Sequence, residues 1–295
     1  MNFASSFLSS KITTSQPVMG LINHILPQSF VDGPGNRAVV FLQGCNFHCL
    51  YCHNPFTINR CNSCGVCLAA CPSGALGYQD DLVIWNEQVC TGCDTCIRTC
   101  PSFSSPKSKQ YTADELWKIL LPDISFVSGL SVSGGEPSLQ MEFLIDFFRI
   151  VKSSSDLTTL METNGFAGPG AYSAILPFLD LALVDLKIMD NEKHQRLTGQ
   201  EIGVVLDTIR YLQEHGKLHG VNEVIIPGYH TEEDVSRAAA FIVDLDPTIL
   251  FNLLRFRPHG TTGDALGWET PSDAIMDQFV RVAKLQGLFN VSRSL

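Results

Sequence analysis

Eleven cysteines fall in three tight groups, at 45, 49 and 52, at 61, 64, 67 and 71, and at 90, 93, 96 and 100, with none beyond residue 100. An odd number of thiols in C-x-x-C runs is a poor disulfide framework, and no secretion signal accompanies them. Metal ligation in a reducing compartment is the better reading. The first group lies in "LQGCNFHCLYCHN", residues 42–54. Three thiolates are one short of a closed four-coordinate site, and a site that works on a ligand keeps one position open. Soft thiolates select zinc or iron–sulfur clusters. An imidazole from His48 or His53 would close a zinc site, whereas a [4Fe–4S] cluster on Cys45, Cys49 and Cys52 would leave one iron without a protein ligand. Spacing alone leaves both open.

The other eight cysteines repeat one pattern. "CNSCGVCLAACP" (61–72) and "CTGCDTCIRTCP" (90–101) are both C-x2-C-x2-C-x3-C-P. This is the bacterial ferredoxin run, in which the fourth cysteine ligates the other cluster. Cys61, Cys64, Cys67 and Cys100 would hold one [4Fe–4S] cluster, and Cys90, Cys93, Cys96 and Cys71 the second. Paired four-cysteine zinc sites are the alternative, although zinc ribbons rarely carry the third cysteine and the C-P ending. Val66, Leu68, Ile84 and Ile97 would limit water around the clusters and tune their potential. With no open iron, their natural work is electron transfer; docking a partner or stabilising the fold are the other uses.

These cysteines need a frame. "RAVVFLQG" (37–44) reads as a buried strand running into the first cysteine loop, and the turn-rich stretch 61–106 as an inserted module. "YTADELWKILLP" reads as a helix with Thr112 and Glu115 forming a capping box. Apolar strands and amphipathic helices then alternate. The strands are "GLSVSGG", "LTTLMETNG", "LALVDLKIM", "VNEVIIPG" and "ILFNLLRF". The helices are "LQMEFLIDFFRIVKSS", the short "AYSAILPFL", about 201–215, "TEEDVSRAAAFIVDL" and "PSDAIMDQFVRVAKLQG". With 38–43 this predicts six parallel strands with helices outside, an incomplete (β/α)6 barrel open on one side. Polar motifs sit past the strand ends, on the rim that carries chemistry in such folds.

"CNFHCLYC" (45–52) resembles the C-x3-C-x2-C signature of radical S-adenosylmethionine enzymes, with Tyr51 the aromatic residue before the last cysteine. "VDGPGNR" (31–37), "FLQGCNFHCLYCHNP" (41–55), "SGGEP" (133–137), "ETNG" (162–165) and "DLK" (185–187) resemble glycyl-radical-enzyme activating enzymes, of the YjjW-type branch with a ferredoxin-like insert, over about residues 20–290. The resemblance implies that the methionine part of S-adenosylmethionine chelates the open iron. Reduction would then yield a 5′-deoxyadenosyl radical that takes hydrogen from a backbone glycine of a partner enzyme. It further implies that Gly134, Gly135 and Glu136 bind the methionyl amino group. Glu162, Thr163 and Asp185 stand where relatives place a monovalent cation, with Asn164 in the same cofactor stretch. Relatives usually carry Asp where Glu162 stands, which puts the cation site in doubt. Lys187 would lie near the cofactor carboxylate or the peptide, His259 near the adenosyl part, and Asp32 near the partner's glycine loop. Relatives often carry Arg at about Asn222, a contact that Arg255 or Arg257 would have to replace. Read without the resemblance, "SGGEP" is a strand-to-helix turn, Asp185 a strand-end residue and Asp32 a capped turn.

The chain has 295 residues and a net charge of −10, and it has no Lys/Arg run, which excludes a nucleic-acid backbone binder. No run of about 18 apolar residues predicts a membrane span. Residues 1–19 read as a disordered leader, with Met19 an alternative start, 20–60 and 107–295 as the partial barrel, and 61–106 as the insert. The expected setting is a monomer in an anaerobic cytoplasm, with reduced flavodoxin or ferredoxin as donor and three [4Fe–4S] clusters. Two rivals remain. A radical enzyme acting on a small molecule would use the extra clusters as substrate anchors, against which eight closed cysteines argue, and a plain electron carrier would leave 112–290 without a task.

Overall fold

Short runs of β-branched and apolar residues, each closed by a polar turn, make strands that are covered on both faces. The computed structural model describes residues 17–294, so the expected leader lies almost wholly outside the described residues. In chain order the elements are β1 (Met19–Ser29), β2 (Arg37–Leu42), β3 (Leu76–Gln79), β4 (Leu82–Trp85), α1 (Thr95–Arg98), β5 (Lys109–Thr112), α2 (Ala113–Leu120), β6 (Gly129–Gly134), α3 (Met141–Ser154), β7 (Thr158–Thr163), α4 (Pro169–Tyr172), β8 (Leu181–Asp185), α5 (Asn191–Thr198), α6 (Gly203–Glu214), β9 (Leu218–Ile225), α7 (Glu232–Leu245), β10 (Leu250–Arg255), α8 (Asp273–Leu285) and β11 (Val291–Arg293).

One nine-stranded sheet runs in the order β11-β10-β9-β8-β7-β6-β2-β1-β5, and its edges do not meet. From β2 to β11 every pairing is parallel. β1 is antiparallel to β2, and β5 to β1. The sequence pattern predicts six parallel strands, and the structure has a seventh, β11, only three residues long and too short to show a period. β1 and β5 escape the pattern because both carry polar, half-exposed residues. Met19, placed in the expected leader, already pairs with Thr112. The capping box of Thr112 and Glu115 opens α2 as predicted. The short helix expected at "AYSAILPFL" is a single turn, α4, that begins earlier at Pro169. The strand expected over 181–189 stops at Asp185, because Asp190 caps an unpredicted helix, α5.

Alternation along the strands separates two faces. Leu130 and Val132, Ala182 and Val184, and Phe251 and Leu253 face the helices, where Phe147, Ile209, Ala239 and Met276 join them in one buried cluster. The other face carries Ser131 and Ser133, Glu162, Asp185, Asn222 and Asn252. At its N-terminal end the fully buried Arg37 guanidinium donates to Ser131 Oγ (2.7 Å), Thr158 Oγ1 (2.9 Å) and the carbonyl of Leu130 (2.8 Å). Ser131 Oγ in turn donates to the carbonyl of Asp32 (2.6 Å), which draws the 31–36 loop over that end.

Residues 61–106 leave and rejoin the sheet at one place. Asn59 bridges to Ser104. The buried Gln43 side chain donates to the carbonyls of Phe56 (2.7 Å) and Asn59 (2.6 Å) and accepts from Asn23 (2.6 Å) and Ser108 (2.8 Å). One amide therefore ties both ends of the segment to β1 and β2. Within it, β3 and β4 form a hairpin whose two-residue turn, Asp80-Asp81, has positive φ at both positions. Among the described residues no helix is long and apolar enough to cross a membrane.

Candidate active site

The first cysteine loop is clamped by its backbone rather than by its thiols. Gly44 N donates to Thr57 O (2.7 Å), Cys45 N to Ile58 O (2.8 Å), His48 N to Thr198 O (2.9 Å) and Leu50 N to Leu197 O (3.0 Å). Phe47, 1 % exposed, packs on Phe166 and edge-on against His194 of α5. Helix α5, which the sequence pattern hid, is thus what holds the loop in place. So fixed, Cys45, Cys49 and Cys52 all line one cleft of about 270 Å³ at the C-terminal ends of the strands. Among the described residues no three His, Cys, Asp or Glu side chains converge closely enough to hold a single metal ion. His48 is exposed and outside the cleft, and His53 sets its Nε2 3.3 Å from the carbonyl of Arg257. Burial pushes the Cys45 and Cys49 thiols up to about 12, with the Lys187 ammonium pulling against it. Such thiols stay protonated unless a metal takes the proton's place.

The strand-end motifs form the rest of the wall. Gly134 and Gly135 sit against the start of the cysteine loop: a Cβ on either would overlap the backbone of Leu42 or Gly44. Gly135 N donates to Leu42 O (2.9 Å) and Glu136 N to Gly44 O (2.7 Å). The sequence suggests that these glycines admit a ligand; in the structure they line the cleft and also admit the cysteine loop, because β6 and β2 are adjacent. Glu136, 1 % exposed, accepts from Ser138 N (2.9 Å), Thr163 Oγ1 (2.6 Å) and Asn164 N (2.7 Å). Asn164 Nδ2 donates to Asn46 Oδ1 (2.7 Å) and lies 4.0 Å from Cys45 Sγ. One carboxylate therefore braces β6, β7 and, through Asn164, the cysteine loop.

Next along the sheet, Glu162 accepts from Ser133 Oγ (2.7 Å), and Asp185 from Lys187 Nζ (2.8 Å). Asn222 Nδ2 lies between the two carboxylates, 3.4 Å from Glu162 Oε1 and 3.1 Å from Asp185 Oδ1. Its reach from β9 to β7 requires a concave face. Lys187 Nζ lies 5.9 Å from the centre of the Tyr51 ring, and the Tyr51 hydroxyl is buried without a partner. Behind the "DLK" turn, His230 Nε2 approaches the Lys187 carbonyl (3.2 Å) and the buried Glu223 (3.5 Å). Neither was singled out in the sequence.

Other expected site residues lie apart. His259 is exposed, outside the cleft, with its ring 6.4 Å from that of His53 at the rim. Arg255 turns away to the Pro271 carbonyl (2.8 Å) and Asp273, so it does not replace an arginine at Asn222; Arg257 also lies outside the cleft. Asp32 is half-buried, and its carboxylate accepts from the Ser29 hydroxyl. In the inserted segment Cys61, Cys64, Cys67 and Cys100 line one narrow pocket with Val66 and Val83. Backbone N–H groups point at the sulfurs of Cys71 (from Ala75, 3.3 Å) and Cys90 (from Gly92, 3.5 Å), while Cys93 Sγ lies by Thr95 Oγ1 (3.4 Å) and Cys96 is buried. A second cleft, of about 570 Å³, separates this segment from β1 and β2. Trp85, Lys107 and Cys90 line one side, Asn23, His24 and Phe41 the other, and Asn54 lines both clefts.

Burial first, then the Asp185 charge, push the Glu162 carboxyl up to about 7, against the pull of the Ser133 hydroxyl. Between the ordinary carboxylate range and that value, the folded protein holds more protons here than the unfolded chain. Stability therefore falls as pH rises through the window and levels off above it. Urea unfolding of the cluster-free protein is expected to show a loss on the order of 2–3 kcal/mol between about pH 5 and about pH 8 from this group. Glu162→Gln flattens that slope, and an unchanged slope would remove Glu162 as its source.

A family model described as the Radical SAM superfamily matches residues 39–242. The chain is 30% identical over 276 residues to the isethionate sulfite-lyase activating enzyme of Desulfovibrio desulfuricans, covering 85% of this chain and 88% of that protein. It is 30% identical over 266 residues to the 4-hydroxyphenylacetate decarboxylase activating enzyme of Clostridium scatologenes, covering 82% and 85%. Among solved structures, QueE from Escherichia coli superposes with a TM-score of 0.54 over 94% of each chain at 12% identity, a likeness of fold alone.

Proposed function

The chain belongs to the radical SAM superfamily, and from that premise we propose that it is a glycyl-radical-enzyme activating enzyme whose protein substrate reaches Cys45, Cys49 and Cys52 through the open side of the sheet. The family uses a [4Fe–4S] cluster and S-adenosylmethionine. The residues present fit both groups: three thiols on a clamped loop face one cleft that also carries Lys187, Glu162 and Asp185, and the Tyr51 hydroxyl beside the trio is buried without a partner. When bound, the two groups supply one-electron cleavage of a carbon–sulfur bond and hydrogen-atom abstraction.

The chain's own residues bind, orient and exclude water. Cys45, Cys49 and Cys52 would hold three corners of the cluster. The backbone at Gly134 and Gly135, fixed by Glu136, would present carbonyls to the methionyl amino group. Lys187 carries the positive charge of the cleft and would face the carboxylate; burial opposes that charge, but Asp185 and the neighbouring Tyr51 and Cys49 raise its pKa above the ordinary lysine range. Val224 and Leu254 line the cleft and keep its wall dry. The eight remaining cysteines would hold two further clusters that relay electrons from reduced flavodoxin or ferredoxin. The second cleft, which shares Asn54 with the first, would give a partner's loop room to approach, whereas Asp32 lines neither cleft. The observation that carries the proposal is the convergence of the cysteine loop and three strand-end motifs, "SGGEP", "ETNG" and "DLK", on one cleft.

The test mixes anaerobically reconstituted enzyme, S-adenosylmethionine and a reductant with candidate glycyl radical enzymes labelled with α,α-dideuteroglycine. The expected result is a glycyl-radical signal in the electron paramagnetic resonance spectrum of one candidate, a doublet with ordinary glycine that collapses to a singlet with the deuterated glycine, together with deuterium in the 5′-deoxyadenosine. Cofactor cleavage with neither signal on any candidate would favour a small-molecule substrate instead.

A further inference from the structure

The resemblance implies a monovalent cation beside the cofactor carboxylate, at Glu162, Thr163 and Asp185, and the donor set there does not fit one. A hard cation takes several oxygen ligands with lone pairs to give. The Thr163 hydroxyl, 2 % exposed, donates to Glu136 Oε1 (2.6 Å), meets the Tyr172 hydroxyl (2.8 Å) and accepts from Gly165 N (3.1 Å). Both Asp185 oxygens accept, from Lys187 Nζ (2.8 Å) and Asn222 Nδ2 (3.1 Å). Both Glu162 oxygens do likewise, from Ser133 Oγ (2.7 Å) and, at longer range, Asn222 Nδ2 (3.4 Å). The Asn222 amide cannot turn its oxygen toward the carboxylates without breaking a chain behind it. Its Oδ1 accepts from Asn252 Nδ2 (2.9 Å), and Asn252 Oδ1 accepts from the Ser292 hydroxyl.

We propose that Lys187 and Asn222 stand in for the cation, so that this chain binds S-adenosylmethionine without one. The assignment rests on the radical SAM reading of the cleft. Lys187 has three donors, of which Asp185 takes one, and it lines the cleft beside the cysteine trio. The Lys187 ammonium pairs directly with Asp185, so it already balances one of the two carboxylates.

The test is the dissociation constant of S-adenosylmethionine for reconstituted holoenzyme in potassium, sodium or tetramethylammonium chloride at one ionic strength, so that screening is constant. The expected change among the three salts is less than about 2-fold. Lys187→Met is expected to weaken binding at least ~10-fold in all three salts, because Thr163 and Asn222 stay committed and still offer a cation no ligand set, while Lys187→Arg stays indifferent to the salt. Binding by the unaltered enzyme that tightens ~10-fold or more with either metal ion would overturn the assignment. So would a Lys187→Met enzyme that keeps the unaltered affinity or regains it with potassium or sodium. Holoenzyme that binds no S-adenosylmethionine in any salt would instead bring down the reading of the cleft, and the assignment with it.

Discussion

Replacing Cys49 by alanine is expected to abolish S-adenosylmethionine cleavage while leaving the fold in place. The loop that carries Cys49 is held by backbone bonds to Thr57, Ile58, Leu197 and Thr198, none of which involves a thiol. Circular dichroism should therefore be unchanged. The cluster loses one of three ligands, a deeper loss than that of an outer-sphere partner, which costs ~10–100-fold. Formation of 5′-deoxyadenosine should fall more than ~100-fold, to the level of reductant alone. Iron should drop from about twelve per chain to about eight, because the eight cysteines of the inserted segment are untouched. Each number tests a different statement. Cleavage that survives in the variant would remove the trio from the chemistry. About four irons in the unaltered protein would remove the two further clusters and leave the trio standing.

The parts of this site that sequence made legible are those written in one short stretch. The 45–49–52 spacing, the "SGGEP" turn and the strand rhythm each depend on residues near one another in the chain. The parts that stayed hidden depend on distance across the fold. Helix α5 carries "NEKHQRLT", so polar that only His194, Leu197 and Thr198 are buried, yet its last turn clamps the cysteine loop. Asn222 reads in sequence as a missing arginine. Its placement between Glu162 and Asp185 follows only from the curvature that brings β9 toward β7. Gly134 and Gly135 were legible as a close backbone approach, but what approaches is decided by the parallel pairing of β2 and β6.

That pairing makes Glu136 the residue whose loss should be felt most in the folded state. Its carboxylate caps the turn at 137–140 that leads into α3, and it accepts two backbone N–H groups and one hydroxyl in a place water does not reach. Burial pushes its pKa up, and bonds from Ser138, Thr163 and Asn164 pull it back toward the ionised form. Alanine would leave the N–H groups of Ser138 and Asn164 buried with no acceptor, at ~1–3 kcal/mol each, together with a void where the carboxylate lay. Thr163 keeps Tyr172 as a partner and adds less. The expected cost of Glu136→Ala is about 4 kcal/mol by urea unfolding, with the dependence on denaturant unchanged. Glutamine can keep an oxygen toward Ser138 and Thr163 but presents an amide N–H to Asn164 N–H, so about half of that loss is expected from Glu136→Gln. The same order should appear in the cofactor affinity of the holoenzyme, weakened ~10-fold or more in the alanine variant, because Asn164 then no longer fixes Asn46 beside Cys45. Equal stability of the two variants, or an alanine cost below about 1 kcal/mol, would mean that the link between "SGGEP" and "ETNG" does not support the cleft.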